Sequence, residues 1–267
     1  MESIKLLALA ITQGLSELLP VSSSAHLIIL GKMINIPTSI LLLTSLQIGT
    51  TVAIIAFFWE KLVRNLFTKA KLLFYFKILV SVVPSAILGI LFEKKIESVL
   101  RAEWIIAASL IFWGIIMIIA QRKVDTSDAV DDIENITWQQ SLLMGFAQSI
   151  ALIPGTSRSG ITTLAGVGVG LNKYTAFEYS LVLGLPVLVG SSLWTIYEDL
   201  AVNGLPVLSG LDFFTYLNTG IILLIPFLVG CLSLLILKKI KRDRWLSVFG
   251  FYRIGLGALI LIFTYLL

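Results

Sequence analysis

The amino-acid sequence predicts an all-α, polytopic membrane protein made of two inverted repeats, each holding one re-entrant helical hairpin and three transmembrane helices. Three observations predict it. Mean hydropathy is +0.97, with 57% hydrophobic and 13% charged residues, far from the roughly 25% charged content of a soluble domain. Several apolar runs reach the ~20 residues needed to cross a bilayer. The chain also repeats itself at about half its length.

The self-similarity runs in order along the chain. Leu19-Pro20-Val21-Ser22-Ser23-Ser24-Ala25-His26 matches Ile153-Pro154-Gly155-Thr156-Ser157-Arg158-Ser159-Gly160, with the prolines at an offset of 134. Ser45-Leu46-Gln47-Ile48-Gly49 matches Ser180-Leu181-Val182-Leu183-Gly184 at an offset of 135. Val83-Pro84 matches Ile225-Pro226, and Arg101-Ala102-Glu103-Trp104 matches Arg242-Asp243-Arg244-Trp245. The expected layout is one membrane domain over 1–267, with repeat one at 1–120, a connecting loop at 121–138 and repeat two at 139–267.

Each repeat opens on an interrupted segment, about 3–34 and 139–171. Both are too broken by Pro, Gly and Ser for one spanning helix, and too apolar for a loop in water. A pair of half-helices satisfies both constraints, because non-helical backbone at membrane depth needs protein or a water-filled cavity around it. Spanning helices are expected near 40–59, 76–92, 104–120, 174–196, 215–237 and 246–266. Three spans per repeat is an odd number, so the second repeat is inverted. The hairpins then enter from opposite faces and their polar tips meet near the midplane, around a central site.

Loop charge sets the orientation. Lys61, Arg64, Lys69, Lys71 and Lys77 fall in 60–77, and Lys238, Lys239, Lys241, Arg242 and Arg244 fall in 238–244. Both loops are expected on the cytoplasmic side, with both termini outside. Residues 197–218 carry no Lys or Arg, and the 121–138 loop is acidic through Asp125, Asp128, Asp131, Asp132 and Glu134. The net charge of +4 is loop charge rather than a nucleic-acid footprint. The single cysteine, Cys231, excludes an intramolecular disulfide and reads as apolar filler. The N-terminus resembles a signal peptide through Lys5, Leu6–Ile11 and Ser23-Ser24-Ala25. The same pattern recurs at 147–160, where no signal peptide can lie.

Polar groups are costly in hydrocarbon, so the two tips are where function is expected. Gln13 and Glu17 are four apart and share a helix face. Ser22, Ser23 and Ser24 are N-cap candidates for the next half-helix, with His26, the only histidine, one turn into it. In the second tip, Pro154-Gly155 breaks the chain, Thr156 or Ser157 caps, and Arg158 and Thr162 are four apart. Two helix N-termini make two anion sites, Gly155 and Gly160 permit close backbone approach, and Arg158 adds a bidentate phosphate donor. The first tip supplies a hydroxyl, an imidazole and a carboxylate, the parts of nucleophilic or acid–base chemistry. Together they point to phosphoryl transfer or hydrolysis at a membrane interface.

The plainer readings differ from residue to residue. Ser22 and Ser24 suit caps or bonds to the preceding turn. Ser23 stands out because it aligns with Ser157 and precedes His26 by three. Arg158 calls for an anion, its structural alternative being a pair with Glu17. Thr175-x-x-Glu178 reads as a capping box, Arg253 as a structural or rim charge, and Gly166-Val167-Gly168-Val169-Gly170 as helix packing.

With those residues in place, the chain resembles the undecaprenyl-diphosphate phosphatases, the bacitracin-resistance type of integral membrane phosphatase. The resemblance rests on Gln13-x-x-x-Glu17 followed by Pro20 to His26, and on Pro154 to Thr162. It implies hydrolysis of undecaprenyl diphosphate to the monophosphate and phosphate, recycling the cell-wall lipid carrier in the bacterial cytoplasmic (inner) membrane. It further implies an outward-facing site and a divalent cation, Mg2+ or Ca2+. By resemblance Ser23 is the nucleophile, His26 an acid/base partner and Glu17 a base or metal ligand. Arg158, Ser157 and Thr162 hold the phosphates, and Gln13, Gly155, Thr156 and Ser159 complete the substrate-binding set. The family allows Glu or Gln at the first position of its first motif. Gln13 carries no charge, which leaves Glu17 as the main acidic ligand, with diphosphate and water supplying further oxygens. Membrane lipids and a second copy of the chain are the other expected partners. The alternative function is a polyprenyl-phosphate flippase or transporter, a class that also uses inverted repeats with broken helices.

Overall fold

The computed structural model describes residues 2–95, 102–122, 132–203, 213–239 and 244–265. Arg101, Asp125, Asp128, Asp131, Lys241, Arg242 and residues 204–212 lie outside that set. Most of the described residues are helical, with no strand among them. In chain order the helices are α1 (Glu2–Ser16), α2 (Ser23–Met33), α3 (Ile40–Phe57), α4 (Trp59–Val63), α5 (Lys69–Lys95) and α6 (Glu103–Ala120). They continue with α7 (Trp138–Gln148), α8 (Arg158–Gly168), α9 (Lys173–Asn203), α10 (Phe213–Lys239) and α11 (Trp245–Tyr265). Short 3-10 turns cover Ile133–Asn135 and Ser149–Leu152.

Six of these helices are long and apolar enough to cross a membrane: α3, α5, α6, α9, α10 and α11. The chain is a multi-pass membrane protein. At 15 and 11 residues, α1 and α2 reach only about 22 and 16 Å against a hydrocarbon core of about 30 Å. The 11-residue α7 and α8 are equally short. The expected broken pairs are therefore present at both places.

Helix α5 shows the physical logic of the fold. It exposes Leu72, Leu79, Val83, Ile87 and Ile90 and buries Lys77, Ser81 and Ser85, spaced four apart. An apolar outside over a polar inside suits lipid. The buried groups are bonded across helices: Ser81 Oγ pairs with Ser141 Oγ at 2.6 Å, and Gln148 Nε2 donates to Ser85 Oγ at 3.0 Å. Such bonds, together with small residues, hold membrane helices together. At the α6–α11 crossing, a Cβ on Gly114 would lie 2.7 Å from the carbonyl of Gly250, and the reverse is equally tight.

Three local expectations change. Helix α5 begins at Lys69 rather than near 76, because Thr68 Oγ1 accepts from Lys71 N at 3.3 Å and caps it. Two of the supposed loop lysines are then buried. Lys71 pairs with Glu134 at 2.6 Å, and Lys77 donates to the Ile136 carbonyl. The exposed loop charge there reduces to Lys61, Arg64 and Lys69. Helix α9 is capped by Asn172, whose Oδ1 accepts from Thr175 N at 2.7 Å, not by Thr175. A true capping box joins Thr137 and Gln140 at the start of α7.

The chain forms two compact units, each drawing on both sequence halves. One comprises residues 1–18, 23–62 and 185–239, the other 19–22, 63–184 and 240–267. In the first unit α1 packs on α10 and α10 on α3. In the second α7 packs on α5 and α8, and α6 on α11. The turn Leu19–Ser22 groups with the second unit, while α1 and α2 belong to the first.

Candidate functional site

The first polar tract begins at the end of α1. Glu17 N still bonds to the Gln13 carbonyl at 2.9 Å, so Gln13 and Glu17 lie on one face as the spacing requires. Gln13 is 2% exposed, and its Nε2 donates to Glu17 Oε2 at 3.4 Å and to Thr50 Oγ1 of α3 at 3.3 Å. Ser23 is the first residue of α2, and its Oγ donates a short hydrogen bond to Glu17 Oε2. A carboxylate accepting directly from a serine hydroxyl is the arrangement of a base beside a nucleophile. Glu17 and Ser23 are both half-buried, and His26 follows one turn along α2, also half-buried.

The second tract is a turn between Leu152 and α8. Gly155 has φ of +91°, and a Cβ there would lie 2.6 Å from the Ile106 carbonyl, so only glycine fits. Thr156 Oγ1 pairs with Ser109 Oγ at 3.0 Å. Ser157 is the N-cap of α8, its Oγ accepting from Gly160 N at 3.2 Å. Thr162 Oγ1 donates to the Arg158 carbonyl at 2.8 Å, and Ser159 Oγ donates to the Leu19 carbonyl at 3.4 Å. Thr156, Ser157, Ser159 and Thr162 are all buried and bonded to the protein itself. Arg158, half-buried, is the first residue of α8.

The two tips correspond more closely in backbone than in sequence. Ser22 and Ser157 have φ of 72° and 69°, and each immediately precedes a half-helix. Left-handed backbone in a non-glycine residue costs about 1–3 kcal/mol and concentrates at functional sites. The aligned prolines pair Ser23 with Ser157, but the structure pairs Ser22 with Ser157 and Ser23 with Arg158. Gly155 is the extra residue, which shifts the offset from 134 to the 135 seen between Ser45 and Ser180. Ser23 and Arg158 thus hold the same position, the first of a helix whose free amides and dipole favour an anion.

Arg253 of α11 joins the two turns. It is 0% exposed, its Nη1 donates to the Pro20 carbonyl at 3.0 Å, and its Nη2 donates to the Gly155 and Thr156 carbonyls at 2.6 and 2.9 Å. Breaking a helix leaves carbonyls without intrahelical partners, and in hydrocarbon they need another donor. One guanidinium meets that need for both tracts. Of the two roles open to Arg253 in the sequence, the structural one holds. Thr50, bonded to Gln13 in the first unit, and Arg253, bonded to both turns in the second, are partners that no motif marked.

Among the described residues, no group of three or more His, Cys, Asp or Glu side chains is placed to hold a metal ion. The donors nearest to such a role are the Glu17 carboxylate with the Gln13 amide and Ser23 hydroxyl beside it.

The family model for bacitracin resistance protein BacA matches residues 6–259. Undecaprenyl-diphosphatase 1 of Clostridioides difficile (strain 630) is 32% identical, covering 100% of this chain and 98% of the relative. An undecaprenyl-diphosphatase of Thermosipho africanus is 34% identical, covering 92% of this chain and 94% of the relative. Undecaprenyl-diphosphatase 2 of Shewanella oneidensis is 34% identical, covering 96% of each.

Removing the Arg253 guanidinium strands three buried carbonyls, each worth about 1–3 kcal/mol when unsatisfied. Arg253→Met is therefore expected to lower stability in detergent by at least about 3 kcal/mol. Ser159→Ala, which removes two long bonds, to the Leu19 carbonyl and to Ser157 Oγ, should cost about 1–2 kcal/mol. Thermal unfolding of the two variants checks this, and equal losses would show that Arg253 does not hold the turns.

Proposed function

The chain belongs to the bacitracin resistance protein BacA family, and on that premise we propose that it hydrolyses undecaprenyl diphosphate to undecaprenyl phosphate and inorganic phosphate. The observation that carries this is the hydrogen bond from Ser23 Oγ to Glu17 at the start of α2, with Arg158 at the matching position of α8.

Arg158 and the first amides of α8 give the second unit a turn suited to neutralising phosphate charge. The hydroxyls of Thr156, Ser157, Ser159 and Thr162 then serve as the frame of that clamp, since they bond to the protein. Ser23 Oγ attacks the terminal phosphorus and Glu17 takes its proton. The bond from that phosphorus to the bridging oxygen breaks, and undecaprenyl phosphate leaves, with His26 the acid available to the leaving oxygen. Water then attacks the phosphoserine, giving inorganic phosphate and free Ser23. A divalent cation, Mg2+ or Ca2+, fits the donor set only in part, because Glu17 is the one carboxylate. Glu17 and Gln13 would hold an ion that arrives with the diphosphate, and when bound it neutralises phosphate charge.

The proposal places the protein in the bacterial cytoplasmic membrane as two inverted repeats, with the site and both termini outward. The exposed Lys61, Arg64 and Lys69 then face the cytoplasm. In a Cys231→Ala background, an Arg64→Cys thiol should react with membrane-impermeant maleimide in inverted vesicles and not in intact cells. Labelling of intact cells would reverse the orientation.

Phosphate release in detergent separates hydrolysis from the flippase reading, because transport needs a sealed membrane. Purified protein with Mg2+ or Ca2+ should release phosphate from the lipid diphosphate. Glu17→Gln should lower turnover about 100- to 10,000-fold, and Ser23→Ala by a similar factor, with loss of any trapped phosphoenzyme. No phosphate release would defeat the enzyme reading. A Ser23→Ala protein with most of its activity would leave water as the direct nucleophile.

A further inference from the structure

Gly184 lies buried on α9, in the same compact unit as Arg158. A Cβ built on Gly184 would overlap Nη1 of the Arg158 guanidinium and come within 2.6 Å of its Cζ and 3.3 Å of its Nε. The guanidinium therefore occupies the space a side chain at 184 would fill. Its repeat partner Gly49 faces something different. There a Cβ would meet backbone, the Leu223 carbonyl and, at 3.0 Å, Phe227 N. Gly49 is needed for two helices to touch, whereas Gly184 is needed by one side chain.

The atoms that would yield explain why this matters for activity rather than folding. The far end of an arginine can swing aside, and helix interiors favour Ala over Gly. We propose that Gly184 is a positioning residue that seats the Arg158 guanidinium where it grips the substrate diphosphate. This rests on Arg158 being the phosphate clamp. An added methyl at 184 leaves the helix intact and displaces the clamp, and misplacing such a group by about 1 Å costs on the order of 100-fold in rate.

The test is a double-mutant cycle on kcat/KM for lipid diphosphate hydrolysis, with thermal unfolding of each variant. Gly184→Ala is expected to lower kcat/KM about 10- to 100-fold with an unfolding temperature at or above that of the parent. In an Arg158→Ala background the same substitution should have no further effect, because it acts through a group no longer present. Three results would overturn the proposal: Gly184→Ala activity within about threefold of the parent beside an inactive Arg158→Ala, effects that multiply in the double variant, or a Gly184→Ala protein that unfolds. Full activity of Arg158→Ala would instead overturn the clamp reading itself.

Discussion

A guanidinium buried with no carboxylate paired to it among the described residues, and bonded to three peptide carbonyls from two separate turns, is the constraint on which the site depends. Membrane protein backbone is helical because hydrocarbon offers no partner to a free carbonyl. A reactive site made of broken helices exposes such carbonyls wherever it breaks. Arg253 satisfies Pro20, Gly155 and Thr156 together, and Ser159 adds the Leu19 carbonyl. The turns at Pro20 and Gly155, remote in sequence, are fastened through their main chain, and a positive charge is buried beside both.

From that fastening the local chemistry follows. Each turn ends in a serine held in left-handed backbone, and each serine immediately precedes a half-helix. The first residue of one helix is Ser23, bonded to Glu17, and the first residue of the other is Arg158. A near-repeat in backbone thus carries two unlike side chains, a hydroxyl bonded to a carboxylate and a guanidinium. The remaining hydroxyls, Thr156, Ser157, Ser159 and Thr162, turn inward to maintain the turn, and only a glycine at 155 lets it pass Ile106.

Much of this could be read from the residues alone, and the rest shows where a linear pattern fails. Spanning helices and broken pairs announce themselves through apolar runs and their Pro-Gly-Ser interruptions. Gln13, Glu17 and Ser23 were within reach because helix spacing and a proline turn are local rules. Arg253 was not, because its partners lie 97 to 233 positions away and no spacing links an arginine to a carbonyl. Thr50 and Gly184 were hidden for the same reason. The pairing of Ser23 with Ser157 slipped by one because the extra residue, Gly155, is visible only as a conformation. The lysine cluster misled in part because Lys71 and Lys77 turn inward to acceptors that hydropathy does not reveal.

One side chain, Arg253, couples two turns whose prolines are 134 residues apart. Amide hydrogen–deuterium exchange in detergent, comparing the parent with Arg253→Lys, tests it directly, since an ammonium cannot reproduce the fork that reaches three carbonyls. Faster exchange is expected in peptides spanning 14–27 and 152–165 together, with α3 and α10 unchanged. Faster exchange in only one of the two tracts, or in neither, would contradict it.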